Sequence, residues 1–171
     1  EWTHFEYNAG RTSVSSDRVV QPPDSLRWLA DEFWPERRFG HTAGDNAFVS
    51  AGGRNFYWNN HYQVTRGSVL TARDAYNGTT LWTRSFEQQA CSTALVTDGL
   101  RLYIGLGDPG GLIVLNAETG EDIARFADAY GGGVSELLLL VDTLVHVFPG
   151  SRRGDPGAVR VFDAGSGELL W

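Results

Sequence analysis

The stretch ARDAYNGTTLW at residues 72–82 has two related copies along the chain, VLNAETGEDIA at 114–124 and VFDAGSGELLW at 161–171. The glycine that the copies share recurs after 42 and then 47 residues. Turn-forming residues between two apolar runs are typical of a tight connection between two β-strands. We expect Asp74 to accept hydrogen bonds from the turn backbone and Gly78 to adopt a left-handed conformation. Each copy therefore predicts a β-hairpin.

A second turn pattern precedes each copy, at residues 49–54, 96–101 and 140–145. In each case small or acidic residues separate two short apolar runs, which again indicates a hairpin. Two hairpins supply four antiparallel strands in a unit of about 40 to 50 residues, the size of one β-propeller blade. The sequence therefore predicts an all-β fold, a β-propeller of four-stranded antiparallel blades. About three blades and an N-terminal strand segment are expected, which make a partial ring.

The repeats divide the chain into four parts. We expect blade repeats at residues 40–88, 89–127 and 128–171, after an N-terminal segment at 1–39 whose strand would complete the last blade of a ring. A propeller needs at least about four blades to close. Three repeats that end on Trp171 therefore predict a truncated chain, and the missing blades of the same chain are its first expected partners.

The composition narrows the classes of function. The chain has 171 residues, of which 42% are hydrophobic, and this favours a packed domain over a disordered one. A net charge of −7 argues against a nucleic-acid partner, because such proteins need a basic face. Cys91 is the one cysteine, so an internal disulfide or a cysteine-rich zinc site is excluded. No apolar run approaches the roughly 20 residues of a membrane span.

Two short motifs suggest ligands but are better explained by turns. The pattern GLGDPG at residues 105–110 matches a dinucleotide fingerprint, which requires a helix to follow it. The apolar residues 112–115 predict a strand there, so we interpret the glycines as a loop. Asn77-Gly78-Thr79 matches a glycosylation sequon, and we interpret it as part of the repeated turn.

A candidate binding site lies ahead of the first blade, at Arg37, Arg38 and His41. The forked donors of arginine suit an anionic group, and the alternative is a solvated loop. The four histidines, at positions 4, 41, 61 and 146, have no spacing that would pair them as metal ligands on one element. No metal site is therefore predicted in this chain. Catalytic residues stay unassigned, because in a propeller such groups converge from different blades.

The repeated turn resembles the tryptophan-docking repeat of the PQQ-like β-propellers, the family named after pyrroloquinoline quinone. That repeat reads Ala-x-Asp-x-x-x-Gly-x-x-x-Trp, and the first copy matches it in full. The opening of the chain carries Trp2, Pro22-Pro23, Leu26-Arg27-Trp28, and Trp34 with Arg37. Together with residues 72–78, it is similar to large planctomycete-type propeller proteins described as PQQ-binding-like. The resemblance implies that the tryptophans join adjacent blades and that the glycines make the turns. The residues concerned are Ala72, Asp74, Gly78, Trp82, Asn116, Gly120, Asp163, Gly167 and Trp171.

The resemblance also sets the expected functions. The family contains quinoprotein dehydrogenases and cofactor-free scaffolds such as the lipoprotein of the outer-membrane assembly machine. It implies a non-catalytic scaffold for binding or assembly in the cell envelope or periplasm, with protein partners and without a cofactor. One alternative is a quinoprotein oxidoreductase that uses pyrroloquinoline quinone and calcium. Another is a sensory module attached to a downstream enzyme domain.

Overall fold

The computed structural model describes residues 1–4, 7–10, 12, 47–61, 67–88, 90–106, 111–126, 136–148 and 156–171, and within these ranges every helix or strand element is a β-strand. The strands are β1 (Ala47–Ala51), β2 (Arg54–His61), β3 (Gly67–Asp74), β4 (Thr80–Phe86), β5 (Ala90–Thr97), β6 (Arg101–Leu106), β7 (Gly111–Asn116), β8 (Asp122–Phe126), β9 (Glu136–Leu140), β10 (Thr143–Phe148) and β11 (Ala158–Asp163).

The strands form three antiparallel sheets in chain order. Sheet 1 has the order β1-β2-β3-β4, sheet 2 has the order β5-β6-β7-β8, and sheet 3 contains β9, β10 and β11. In sheet 3 the fourth position is taken by a single bridge from Leu169 to Phe162. Sequential antiparallel strands of this kind need only hairpin connections, so each repeat forms one sheet. The all-β prediction is confirmed.

The hydrophobic cores lie between the sheets. Phe56, Trp58 and Leu70 of sheet 1 pack with Leu102 and Leu115 of sheet 2. The opposite face of sheet 2 packs against sheet 3. Strands β6 and β7 are therefore apolar on both faces, in contrast to the alternating pattern of a sheet with one wet face. The residues of the second core are Ala94, Val96, Tyr103, Leu112, Val114, Phe126, Leu137, Leu144, Phe162 and Ala164.

The first strand of each sheet lies on the same side of the stack, because β1 contacts β5 and β5 contacts β9. We call these three the axis-side strands. Within each sheet the two hairpin turns meet at one end, which we call the turn end. There the amides of Ala75, Ala117 and Ala164 donate to carbonyl groups of the other turn, at 2.9, 2.9 and 2.8 Å. Three stacked four-stranded units with their first strands together form an arc of a β-propeller.

The apolar run that contains β9 extends into a turn. The apolar run from Leu137 to Val141 suggests a single buried strand, but β9 ends at Leu140. Val141 is 91% exposed and has a φ of 52°. Leu140 pairs with Thr143, so Val141 has to occupy a two-residue turn despite its branched apolar side chain. Turn geometry therefore overrides hydrophobicity at this residue.

The predicted domain boundaries at residues 40, 89 and 128 lie outside the described residues, as does most of the predicted N-terminal segment. The division into 1–39, 40–88, 89–127 and 128–171 therefore stays a prediction.

Candidate functional site

The repeated turn of sheet 1 is held by the side chain of Asp74. Its Oδ1 accepts hydrogen bonds from the amides of Tyr76 and Asn77, at 2.8 and 2.9 Å. Gly78 follows with a φ of 74°, a conformation that glycine adopts without a steric penalty. This is the geometry that the turn pattern predicts.

The corresponding turns of sheets 2 and 3 use the same device. Asn116 Oδ1 accepts from the amides two and three residues later, at 2.8 and 3.1 Å. Asp163 Oδ1 accepts from the equivalent amides at 3.0 and 2.7 Å. The hydrogen bonds from the amide and hydroxyl of Ser166 lower the pKa of Asp163. Gly120 and Gly167 both have a φ of 75°, so the three turns share one backbone path.

The contact between sheets 1 and 2, which we call the first junction, is made by Trp82 and Arg84 of β4. A Cβ on Gly120 would lie 2.8 Å from the Trp82 ring, so the ring rests directly on this glycine. Trp82 Nε1 donates to Ala117 O at 3.3 Å, and Arg84 Nη1 donates to Gly120 O at 2.8 Å. Arg84 also forms an ion pair with Asp122 at 2.5 Å. The last strand of one sheet thereby contacts the turn of the next.

Within sheet 1, Ala72 and Phe56 pack next to Trp82. Ala72 is fully buried and lies opposite both Phe56 and Trp82 in the strand register. Its small side chain leaves room for the two rings, whose centroids are 6.0 Å apart. The guanidinium of Arg84 also lies over the Phe86 ring, 5.1 Å from its centroid. Such a cation over an aromatic face is favourable.

The contact between sheets 2 and 3, the second junction, uses a different aromatic position. Alignment of the repeats places Ala124 at the site of Trp82, yet the ring that covers the next glycine belongs to Phe126. A Cβ on Gly167 would lie 2.7 Å from the Phe126 ring. Phe126 also packs against Phe162, with centroids 5.4 Å apart. The sequence motif missed Phe126, although alternate residues of a strand share a face and the period of two could have identified it.

Hydrogen bonding in the second junction comes from β6. Tyr103 Oη and Arg101 Nη1 both donate to Ala164 O, at 3.2 and 3.1 Å. Asp98 accepts from Arg101 Nε at 3.2 Å and lies 3.3 Å from Tyr103 Oη. Burial, together with the negative charge of Asp98, raises the pKa of Tyr103 to about 12. The phenol therefore stays protonated and able to donate at neutral pH.

The tryptophan of the third copy, Trp171, ends an apolar surface on sheet 3. Trp171 is 75% exposed, and Val159 and Leu140 on the same face are about half exposed. At the place in sheet 2 that corresponds to Val159, Leu112 is buried by sheet 3. Sheet 3 thus has the apolar face of an inner sheet, without a covering sheet among the described residues.

The other candidates from the sequence are placed as follows. Arg37, Arg38 and His41 lie outside the described residues. Gly105 lies in β6, and the GLGDPG pattern is followed by strand β7, so the dinucleotide interpretation is excluded by the absence of its helix. Asn77 is exposed in its turn, where its Oδ1 accepts from the Thr79 amide at 2.8 Å.

The two described histidine side chains are buried in packed surroundings. His146 in β10 lies opposite Arg160 of β11 and Leu137 of β9. Burial, together with the charge of Arg160, lowers the pKa of His146. The described ranges hold no cluster of three or more His, Cys, Asp or Glu that could bind a metal ion. The same part of the chain has no helix long and apolar enough to cross a membrane.

Comparison with known proteins supports the fold. No protein-family model and no curated protein sequence matches the chain. A europium-containing methanol dehydrogenase matches 99% of the chain with 14% identity and a TM-score of 0.60, over 31% of its own length. The quinohemoprotein alcohol dehydrogenase of Comamonas testosteroni matches 73% with 21% identity and a TM-score of 0.53, over 20% of its length. BamB from Moraxella catarrhalis matches 86% with 17% identity and a TM-score of 0.52, over 43% of its length.

These likenesses are at the level of the fold. The chain has the β-propeller architecture of the quinoprotein dehydrogenases and of BamB, in agreement with the resemblance seen in the sequence. It spans less than half the length of each of these proteins. A shared propeller fold carries many unrelated functions, so function has to be argued from the residues.

Proposed function

We propose that the chain is part of a PQQ-like β-propeller repeat protein that serves as a non-catalytic scaffold for binding or assembly in the cell envelope. The observation that carries the proposal is the use made of its polar side chains. Asp74, Asn116 and Asp163 hold turns, while Arg84 and Tyr103 connect neighbouring sheets. Polar groups used in this way build a rigid frame.

The likeness to BamB supports the scaffold and the envelope location, because BamB shares the fold over most of this chain. A rigid propeller presents loops from several sheets on a common surface, which suits protein partners. The periplasm is the compartment that this comparison favours.

The apolar outer face of sheet 3 is the place where we expect the propeller to continue. A further four-stranded sheet of the same chain would bury Trp171 as sheet 2 buries Trp82, with a glycine turn beneath the ring. In this proposal Trp82 and Trp171 join blades, Gly78, Gly120 and Gly167 form turns, and Asp74, Asn116 and Asp163 hold them. Ala72 provides the space for the ring.

The competing function is a PQQ-dependent oxidoreductase, which the dehydrogenase neighbours favour. The donor set in the described ranges does not suit a metal-bound quinone. Asp74 and Asp163 are engaged by turn amides, Asp98 by Arg101, and Asp122 by Arg84. A calcium site needs several oxygen ligands that converge on one point. Such a site would have to be built from oxygen donors outside the described ranges. The anion-binding candidates Arg37, Arg38 and His41 also lie there, but their side chains supply no oxygen ligand.

A titration of pyrroloquinoline quinone into the full-length protein separates the two functions. The cofactor is added with calcium, and separately with europium, while absorbance and thermal unfolding are followed. A scaffold shows no saturable absorbance change and no shift in Tm at large cofactor excess. Saturable binding with a raised Tm would overturn the scaffold proposal, because a ligand that binds only the folded state stabilises it.

A further inference from the structure

The N-terminal residues 1–4 cross the axis-side strands of all three sheets. Trp2 and Ser50 exchange two backbone hydrogen bonds of 2.6 Å at the end of β1. The amide of Thr97, the last residue of β5, donates to Thr3 O at 3.0 Å. In β9 the amide of Leu139 donates to His4 Nε2 at 2.9 Å. Three consecutive residues of the segment thus each accept a hydrogen bond from a different sheet.

The three amides that donate occupy equivalent positions in their sheets. Ser50 pairs with Asn55, one residue pair away from the pair that closes the β1–β2 turn. Leu139 pairs with Leu144, one residue pair away from the pair that closes the β9–β10 turn. Thr97 pairs with Leu102 at the end of the β5–β6 hairpin. The same geometric site is therefore used three times, once in each sheet.

These positions lie on sheet edges. Among the described residues, β1, β5 and β9 each have a strand neighbour on one side only, so their outer amides need another acceptor. The segment supplies that acceptor with the carbonyl groups of Trp2 and Thr3 and with the imidazole of His4. Because the segment runs across the sheets, it connects the edges of three sheets that are separate in the described part of the chain.

His4 is suited to this contact by its environment. Its residue surface is 6% exposed, and its Nδ1 lies 2.8 Å from Thr3 Oγ1. Burial lowers the pKa of His4, which favours the neutral ring whose Nε2 can accept a hydrogen bond from the Leu139 amide. Glu1 adds a fourth contact, since its Oε1 accepts from the Gly52 amide at 3.3 Å. A chain reversal holds the segment in place, with Tyr7 N donating to His4 O at 3.2 Å.

We propose that residues 1–4 form an axial strap, a conformational clamp that couples the three sheets to one another at the turn end. The strap acts as one unit, so release of His4 from sheet 3 also loosens its contacts with sheets 2 and 1. This inference rests on the fold and is independent of the scaffold proposal, because a catalytic propeller would need the same coupling.

Amide hydrogen exchange in the full chain tests the strap. His4→Ala removes the acceptor for Leu139, whereas His4→Gln keeps an acceptor oxygen and serves as the matched control. We expect the amides of Leu139, Thr97 and Ser50 to exchange at least about tenfold faster in His4→Ala, the change that local opening of a coupled unit produces. In His4→Gln the three rates should stay within about threefold of the parent.

The outcome that overturns the proposal is faster exchange at Leu139 alone, since Thr97 and Ser50 would then be independent of His4. Unchanged exchange at all three amides would overturn it as well. If His4→Ala does not fold, one glycine inserted between Thr3 and His4 leaves every side chain in place but shifts the acceptors out of register. Parent-like exchange at all three amides in that variant would also contradict the strap.

Discussion

The first and second junctions meet the same structural requirement with different residues. In each, an aromatic ring covers the glycine of the next turn, and a donor reaches the carbonyl group three residues before that glycine. At the first junction Trp82 provides both the ring and the N–H group. At the second, Phe126 provides the ring while Tyr103 and Arg101 donate to the carbonyl. The comparison teaches that the repeat preserves a ring and a donor at the contact, without preserving the residue that carries them.

The aromatic rings should account for the largest energetic effects. Trp82→Ala and Phe126→Ala each remove the ring that covers a glycine, and each is expected to lower the free energy of unfolding by about 3 kcal/mol. Leu81→Ala and Ile123→Ala are matched controls on the opposite, half-exposed faces of β4 and β8, and should cost less than about 1 kcal/mol. Urea unfolding of the full chain measures all four. Equal losses in the ring variants and their controls would contradict the role of the rings.

Transplantation of the first junction into the second tests whether the two solutions are interchangeable. Ala124 and Phe126 correspond to Trp82 and Arg84 in the strand register. Phe126→Arg alone should lose the ring contact, and the addition of Ala124→Trp should recover about half of that loss, roughly 1.5 kcal/mol.

The same urea titration gives the coupling between the two substitutions. If the losses in the free energy of unfolding simply add in the double variant, the two junctions are not interchangeable. Each ring then depends on the residues that surround it.

The donors should contribute less than the rings. Tyr103→Phe keeps the packing of the buried ring but removes one of the two donors to Ala164 O, and a loss of about 1 kcal/mol is expected. Tyr76→Phe is the control, because Tyr76 is 75% exposed. If thermal unfolding of Tyr103→Phe matches the parent, Arg101 alone is sufficient for this carbonyl group.

The smallest predicted effect is a difference in acid sensitivity between two turns, the Asn116 turn beneath the Trp82 ring and the Asp163 turn beneath the Phe126 ring. Asn116 does not titrate, whereas hydrogen bonds lower the pKa of Asp163 in the folded chain. A carboxyl group with a lowered pKa contributes stability above its unfolded pKa of about 3.9, and this contribution is lost as the pH falls through the folded value. Asp163→Asn should therefore weaken the acid sensitivity below about pH 4, and Asn116→Asp should increase it. Identical acid unfolding curves for the parent and both variants would contradict this.

The sequence identified the repeat units because their turns depend on local chemistry. Asp74 and Gly78 reveal a turn within five residues, and the same signal at Asn116 and Gly120 survives the loss of the aspartate. The strands followed from the apolar runs between such turns. Local patterns of this kind need no knowledge of neighbouring sheets.

The contacts between sheets were harder to predict, because they join residues far apart in the chain. The motif pointed to Ala124, but the glycine of sheet 3 is covered by Phe126, and the donors to Ala164 come from β6. The strap was not predicted at all. Its contacts join residues 1–4 to strands that begin at residues 47, 90 and 136, and nothing in the sequence of the segment signals its acceptors.

The two buried faces of sheet 2 have a consequence for how the arc folds. Strands β6 and β7 have apolar side chains on both faces of sheet 2. When sheet 2 packs against only one neighbouring sheet, its other apolar face therefore stays exposed to water. Partly folded forms in which only two sheets are assembled are therefore costly, and the three sheets should unfold in a single cooperative transition. During synthesis, sheet 2 would complete its burial only after the third repeat had left the ribosome.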